Sequence, residues 1–196
     1  MKGKAIFFIF IISLMGLITA SCRTGEFGSA AIDIHGMVYD FSNRPVAHCE
    51  ISLGKRYNTV TDINGRFTLS KIPSGIHTLT ASKNGFENFI NEITVMDPGQ
   101  IIYIRIPSQN QLLNLVDEAL SVHNLGLAAD LTERAYQIDK NNIEALFYYA
   151  TVKFRQSEYQ EAIEFLEIVK NLGSRDLFVD RFLSILRRLQ NAENSN

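Results

Sequence analysis

The sequence predicts a two-domain chain, an antiparallel β-sandwich followed by α-helical hairpins, and three observations carry that expectation. Between Ile32 and Ile106 apolar and polar residues alternate at period two, and clusters of Gly, Pro, Asn and Asp interrupt the alternation at short intervals. After Pro107 glycine nearly vanishes and the apolar spacing changes to three and four, as in amphipathic helices. Within that second half, a shift of 34 residues lays the sequence over itself.

The chain opens with Lys2 and Lys4, then an apolar run from Ala5 to Ile18, then "LITASC" ending at Cys22. A spanning helix needs about 20 apolar residues, so the run falls short of one and fits a secretory signal instead. Residues 1–21 therefore read as a cleaved signal peptide. Ala20 and Ser21 before Cys22 resemble the lipobox of bacterial lipoproteins, although Thr19 stands where Leu is commonest. The resemblance implies a lipid (diacylglyceryl and acyl chains) on Cys22 and attachment to the bacterial envelope, at the outer membrane, with the facing side open. Ordinary cleavage, leaving Cys22 as an unmodified thiol, is the alternative. Residues 22–31 are polar and glycine-bearing, a tether.

The strands follow. Ile32, Ile34, Gly36 and Val38 share one face; so do Phe67 and Leu69; then His77, Leu79 and Ala81; then Ile102, Ile104 and Ile106. In "VAHCEISL" the alternation places Ala47, Cys49, Ile51 and Leu53 inward and Val46, His48, Glu50 and Ser52 outward. Cys49 reads as a small buried apolar residue, since no partner cysteine or ligand spacing supports a reactive or metal-binding role. The turns are "SNRP", "DING", "IPSG", "KNG" and "DPG".

Over about Ile34 to Ile106 the order of motifs resembles the carboxypeptidase regulatory-like domain: "IHGMVYDFSNRPVAHCEISLG", then "TVTDINGRFTLSKIPSGIHTLTASKNGFEN". The resemblance implies a transthyretin-like sandwich over residues 32–107 with a structural or binding role. His77 stands where that family usually has Tyr, and reads as a satisfied, partly buried substitute. Within "TDINGRF", a calcium loop counted from Asp62 would need an oxygen ligand at Arg66, Gly at Phe67 and Glu at Pro73, so calcium is excluded. Asp62, Asn64 and Gly65 are expected to form a structural hairpin turn.

Helices are expected over 108–190, with a disordered tail at 191–196. Apolar spacing links Leu112, Leu115, Val116 and Ala119; Leu127, Leu131, Ala135 and Ile138; and Leu146, Tyr149, Ala150 and Val152. The 34-residue shift sets Leu112 over Leu146 and Ala128 over Ala162. "IEALFYYATVKFRQSEYQEAIEFLEIVKNLG" resembles the tetratricopeptide repeat, and "LFVDRFLSILRRLQ" an atypical capping helix, with Arg187 and Arg188 as a solvated face. Few repeats bury little core, so the helices are expected to lean on the sandwich or on another copy. The repeat resemblance implies a protein-binding face at Leu113, Asp117, Leu120, Glu144, Phe147, Thr151 and Phe154, without the Lys and Asn of carboxylate-clamp versions. Phe147 and Phe154 either meet an apolar partner segment or pack internally.

The net charge of −2 and the lack of a basic, aromatic-interleaved stripe argue against nucleic acid. No zincin, nucleophile-elbow or phosphate-loop motif is present and the four histidines are scattered, so no catalytic residue, metal or cofactor is expected. The expectation is a membrane-anchored, non-catalytic adaptor with a protein partner at the repeats. A carbohydrate- or peptidoglycan-binding module using Phe41, Tyr57, Phe86 or Phe89, and a surface adhesin, are the alternatives.

Overall fold

A computed structural model describes residues 31–173 and 177–193. The signal peptide, Cys22 and the tether up to Ala30 lie outside those residues. Seven strands come first: β1 (Ile32–Tyr39), β2 (Glu50–Leu53), β3 (Tyr57–Val60), β4 (Arg66–Ile72), β5 (Gly75–Ser82), β6 (Phe89–Val95) and β7 (Ile101–Arg105). They form two sheets, ordered β4-β1-β7 and β3-β2-β5-β6. The expected inward faces of β1, β4, β5 and β7 converge on one core that includes Ile34, Val38, Phe67, Leu69, Leu79, Ala81, Ile102 and Ile104. The sandwich is not wholly antiparallel, because β7 returns to lie parallel to β1, Gly36 opposite Ile102 and Val38 opposite Ile104.

Val46 corrects the reading of "VAHCEISL". Both Val46 and Cys49 are buried, and the regular strand starts only at Glu50. The reason is a backbone reversal at His48, whose φ is +54°. Buried Thr61 holds it, accepting from the Cys49 N–H (2.8 Å) and donating to the Val46 carbonyl (2.7 Å). His77 is partly buried as expected, and its Nε2 donates to the Pro73 carbonyl at 2.8 Å.

The turn at 62–65 also differs from a simple hairpin, since β3 and β4 lie in different sheets and it carries the chain from one layer to the other. Asp62 Oδ1 accepts from the Asn64 and Arg66 N–H groups, both at 2.8 Å, and the Gly65 N–H donates to the Asp62 carbonyl. Gly65 alone uses positive φ (+73°), while Asn64 does not. A Cβ on Gly65 would also lie 2.5 Å from the Val38 carbonyl, so both conformation and space demand glycine.

Among the described residues five helices follow: α1 (Gln109–Ser121), α2 (Leu125–Ile138), α3 (Ile143–Arg155), α4 (Tyr159–Asn171) and α5 (Leu177–Glu193). The last corrects the expected tail, because 191–193 continue the helix. Ser108 and Gln111 make a capping box at the start of α1, and the Asn124 and Asn142 side chains cap α2 and α3. In α2 the buried stripe is Ala128, Leu131, Thr132 and Ala135, and Leu127 is exposed, one position off the expected face. The helices bury two apolar clusters, one within α1, α2 and the near side of α3, the other among α3, α4 and α5.

The helices lean on the sandwich. Gln109 N–H donates to the Gly85 carbonyl (2.9 Å) and Glu87 N–H to that of Pro107 (3.0 Å). The Arg134 guanidinium of α2 grips Glu87 in two bonds of 2.8 Å. Buried Gln109 reaches back to the Ala135 carbonyl (2.9 Å) and accepts from Asn142 (3.0 Å), while Gln111 donates to Ser42 (2.9 Å).

Candidate functional site

The 34-residue period is visible in the backbone. Helix starts fall at Gln109, Ile143 and Leu177, and at Leu125 and Tyr159. His123 (φ +58°) and Ser157 (φ +66°) turn the chain at equivalent positions, and the bond from Asn124 N–H to the Ala119 carbonyl repeats from Glu158 N–H to that of Lys153. Helices α1, α3 and α5 are thus the first helices of three successive units, the third lacking its second helix among the described residues.

Between α1 and α3 runs a groove of about 490 Å³, lined by Asp117, Leu120, Ser121, Glu144, Phe147, Tyr148, Thr151 and Arg155. Five of the seven residues expected on the binding face meet here: Asp117, Leu120, Glu144, Phe147 and Thr151. Leu113 does not, for it is 1% exposed in the first apolar cluster with Ala145 and Val152 of α3, so it cannot touch a partner. Nor does Phe154, whose ring meets Phe182 edge-on at 5.4 Å and Tyr159 at 6.3 Å. Phe147 does both: it packs on Phe178 (5.8 Å) and Phe182 (6.1 Å) of α5 while bordering the groove.

Carrying the period one step further gives residues that sequence reasoning missed. Glu144, Thr151 and Arg155 map onto Phe178, Ile185 and Leu189, which are exposed by 57%, 37% and 37%. The signal was available, because Leu177 lies 34 residues beyond Ile143, but the polar residues of α5 make it look like a pure cap. The groove side is acidic at α1 and α3 through Asp117 and Glu144, and burial together with those carboxylates raises the Tyr148 hydroxyl above its ordinary range. Toward α5 it becomes apolar, with Arg181 in line with Phe147.

The opposite side of the helices is a closed aromatic packing. Tyr149 stacks on Phe165 at 4.1 Å and meets Tyr136 at 5.4 Å, while its hydroxyl donates to Glu133. Burial and that hydrogen bond push Tyr149 up to about 12, and the same bond lowers Glu133. On the sandwich, Tyr57, Phe86 and Phe89 pack against the core, leaving Phe41, 40% exposed, as the remaining candidate for a sugar platform. Among the described residues no group of three or more His, Cys, Asp or Glu is placed to hold a metal, and no helix is long and apolar enough to cross a membrane.

Comparison with known families finds a match within each part of the described chain. Residues 33–105 match the family model described as carboxypeptidase regulatory-like domain. Residues 121–194 match that of anaphase-promoting complex, cyclosome, subunit 3, a tetratricopeptide-like repeat domain. Both are regulatory or repeat types rather than catalytic ones. No curated protein gives a significant match. Similar solved structures include a type II cohesin–X–dockerin complex from Acetivibrio cellulolyticus, at 16% identity and TM-score 0.33 over 41% of this chain and 60% of that one. Catechol 1,2-dioxygenase from Pseudomonas arvilla C-1 gives 13% identity and TM-score 0.35 over 43% and 54%.

Proposed function

We propose that this chain, a carboxypeptidase regulatory-like sandwich carrying tetratricopeptide-like repeats, is a non-catalytic, lipid-anchored envelope adaptor whose helical groove holds a segment of a partner protein. The repeat domain indicates a role in protein interaction. The observation that carries the finer reading is the strip across α1, α3 and α5: Asp117 and Glu144 are exposed, and Phe178, Ile185 and Leu189 continue the same repeat positions with apolar surface open to solvent. A helix-in-groove or extended segment with apolar anchors suits such a strip, and basic residues on it would face the acidic end. The lipid at Cys22 would tether the chain to the membrane, since two or three acyl chains give stable anchoring without a spanning helix.

A photo-crosslinking residue at Thr151, used in intact cells and followed by mass spectrometry, should trap a discrete protein, and Ile185→Asp should abolish the product. Crosslinks only to sugar polymer would overturn the adaptor reading, and crosslinks only to another copy of this chain would make the groove a self-association surface. Cys22→Ser should release the chain from membranes; retention there would refute the anchor.

A further inference from the structure

The sandwich has two unlike ends. At one end lie the end of β1, the 40–49 loop, the 83–88 loop and the exit of β7, and the helices dock there through Gly85, Glu87 and Ser42. The other end gathers the start of β1, the end of β4, the start of β5, the end of β6 and the start of β7, as the pairs Ile32 with Ile72 and Gly75 with Val95 require. This end, away from the repeats, presents Ile76, Met96 and Ile101 with 70%, 74% and 53% of their surface exposed. Lys71, next to Ile72 at the end of β4, lies at the same end, and the β2–β3 turn, bonded to the Thr78 carbonyl through Gly54, brings Lys55 and Arg56 there. None of the three cations has an ion-pair partner among the described residues; Asp33 and Asp97 also lie at this end, accepting from the Lys71 and Gly99 N–H groups, and the three cations outnumber these two carboxylates.

Ile32 is also where the chain arrives from Cys22. Ten residues of extended chain reach roughly 35 Å at most, so a lipid on Cys22 would hold this end within that distance of a bilayer. We propose that the end of the sandwich bearing Ile76, Met96, Ile101, Lys55, Arg56 and Lys71 is a membrane-contact surface that rests on anionic lipid and directs the repeats away from the bilayer. The inference rests on the anchor reading for its tether. Apolar side chains flanked by cations are what the headgroup boundary accepts, the cations meeting the negative surface and the apolar groups entering the acyl margin. The helices carry more acidic than basic residues, which an anionic surface repels, so the same charge pattern favours the end-on pose.

The chain contains no tryptophan, so single probes report position cleanly. Full-length Met96→Trp and Ile63→Trp chains, substituted at equally exposed sites at opposite ends of the sandwich, are purified from membranes. They are reconstituted in phosphatidylethanolamine–phosphatidylglycerol vesicles containing lipids brominated on the acyl chain. The Met96→Trp probe should lose most of its emission and the Ile63→Trp probe none, with the loss reversed by Lys55→Glu, Arg56→Glu and Lys71→Glu together. The mass of the N-terminal peptide reports acylation separately. Should Cys22 prove unacylated, the same chains are coupled through Cys22 to a maleimide lipid, Cys49 being fully buried, and the quenching is read again. Anchored chains quenched at neither site, or equally at both, would overturn the proposal. So would a blue-shifted, shielded Met96→Trp emission in native membranes without quenching in the vesicles, which would assign a protein to this end.

Discussion

Asp40 and Asp62 build the same small device twice. Asp40 Oδ1 accepts from the Ser42 and Arg44 N–H groups and Asp40 N–H donates to the Arg44 carbonyl, matching Asp62 with Asn64 and Arg66. The fourth residue of each turn has positive φ, Asn43 in one and Gly65 in the other. Only the second is wedged under a neighbour, so Gly65→Ala should cost about 3 kcal/mol from strain and overlap together. Gly54→Ala, at φ +59° with nothing within 4 Å of the new Cβ, should cost only about 1 kcal/mol. Urea unfolding of the two variants gives the comparison, and equal losses would show that conformation alone selects glycine. Asp62 and Gly65 were readable in the sequence because turn chemistry is local. Val46 was not, because a left-handed His48 has no compositional signature.

Two weak acids, buried Cys49 in the sandwich and partly buried Tyr149 in α3, set the alkaline limit. Burial raises Cys49 from 9.0 to about 11 and Tyr149 from 10.0 to about 12. The neutral forms are favoured in the fold, so their stabilisation is complete below pH 9 and is lost as pH rises through 9 to 12. Thermal melts should fall over that window, and Tyr149→Phe should flatten the upper part of the decline. Glu133 works in the opposite sense: its lowered carboxyl contributes stability above the ordinary carboxylate range and loses it as pH falls through that range.

At the scale of elements, the period that was legible from Leu112 over Leu146 also explains how the stack stops. Leu112 and Val116 of α1, and Leu146 and Ala150 of α3, are fully buried, and in both helices these positions join clusters shared with the following helix. The equivalents in α5 are Asp180, ion-paired with Lys170 at 2.7 Å, and Ser184, bonded to the Arg181 carbonyl. Polar residues stand where a further helix would pack, and this solvates the end of the repeat. Asp180→Leu with Ser184→Ala should restore an apolar seam and drive concentration-dependent association, measurable by light scattering; a chain that stays monomeric would mean the seam needs more than these two positions. What the sequence concealed in α5 is that the same helix is polar on its capping side and apolar on its groove side. One segment serving two surfaces carries no single pattern.

For the whole molecule, the consequence of the docked sandwich is a fixed direction between its free end and the groove. Charge-assisted, bidentate geometry favours the Arg134–Glu87 pair, but both side chains remain about one third exposed, so after solvent screening the pair contributes about 1 kcal/mol. Gln109 acts within the repeats rather than across the joint. It is 7% exposed and joins Ala135 and Asn142, so Gln109→Ala strands buried polar groups and should cost about 2 kcal/mol. Arg134→Ala with Glu87→Ala should leave both domains folded, lower the melting temperature by roughly 2 to 4 °C, and broaden the interdomain distribution seen by small-angle scattering. Gln111→Ala, which removes the bond to Ser42, added to that pair should split the single unfolding transition into two, because each domain retains its own apolar core while the side-chain contacts across the joint are lost. If the triple variant still scatters as one rigid body and melts in one step, the Gly85 and Pro107 backbone bonds hold the joint by themselves, and the direction of the groove is set by the main chain rather than by side chains.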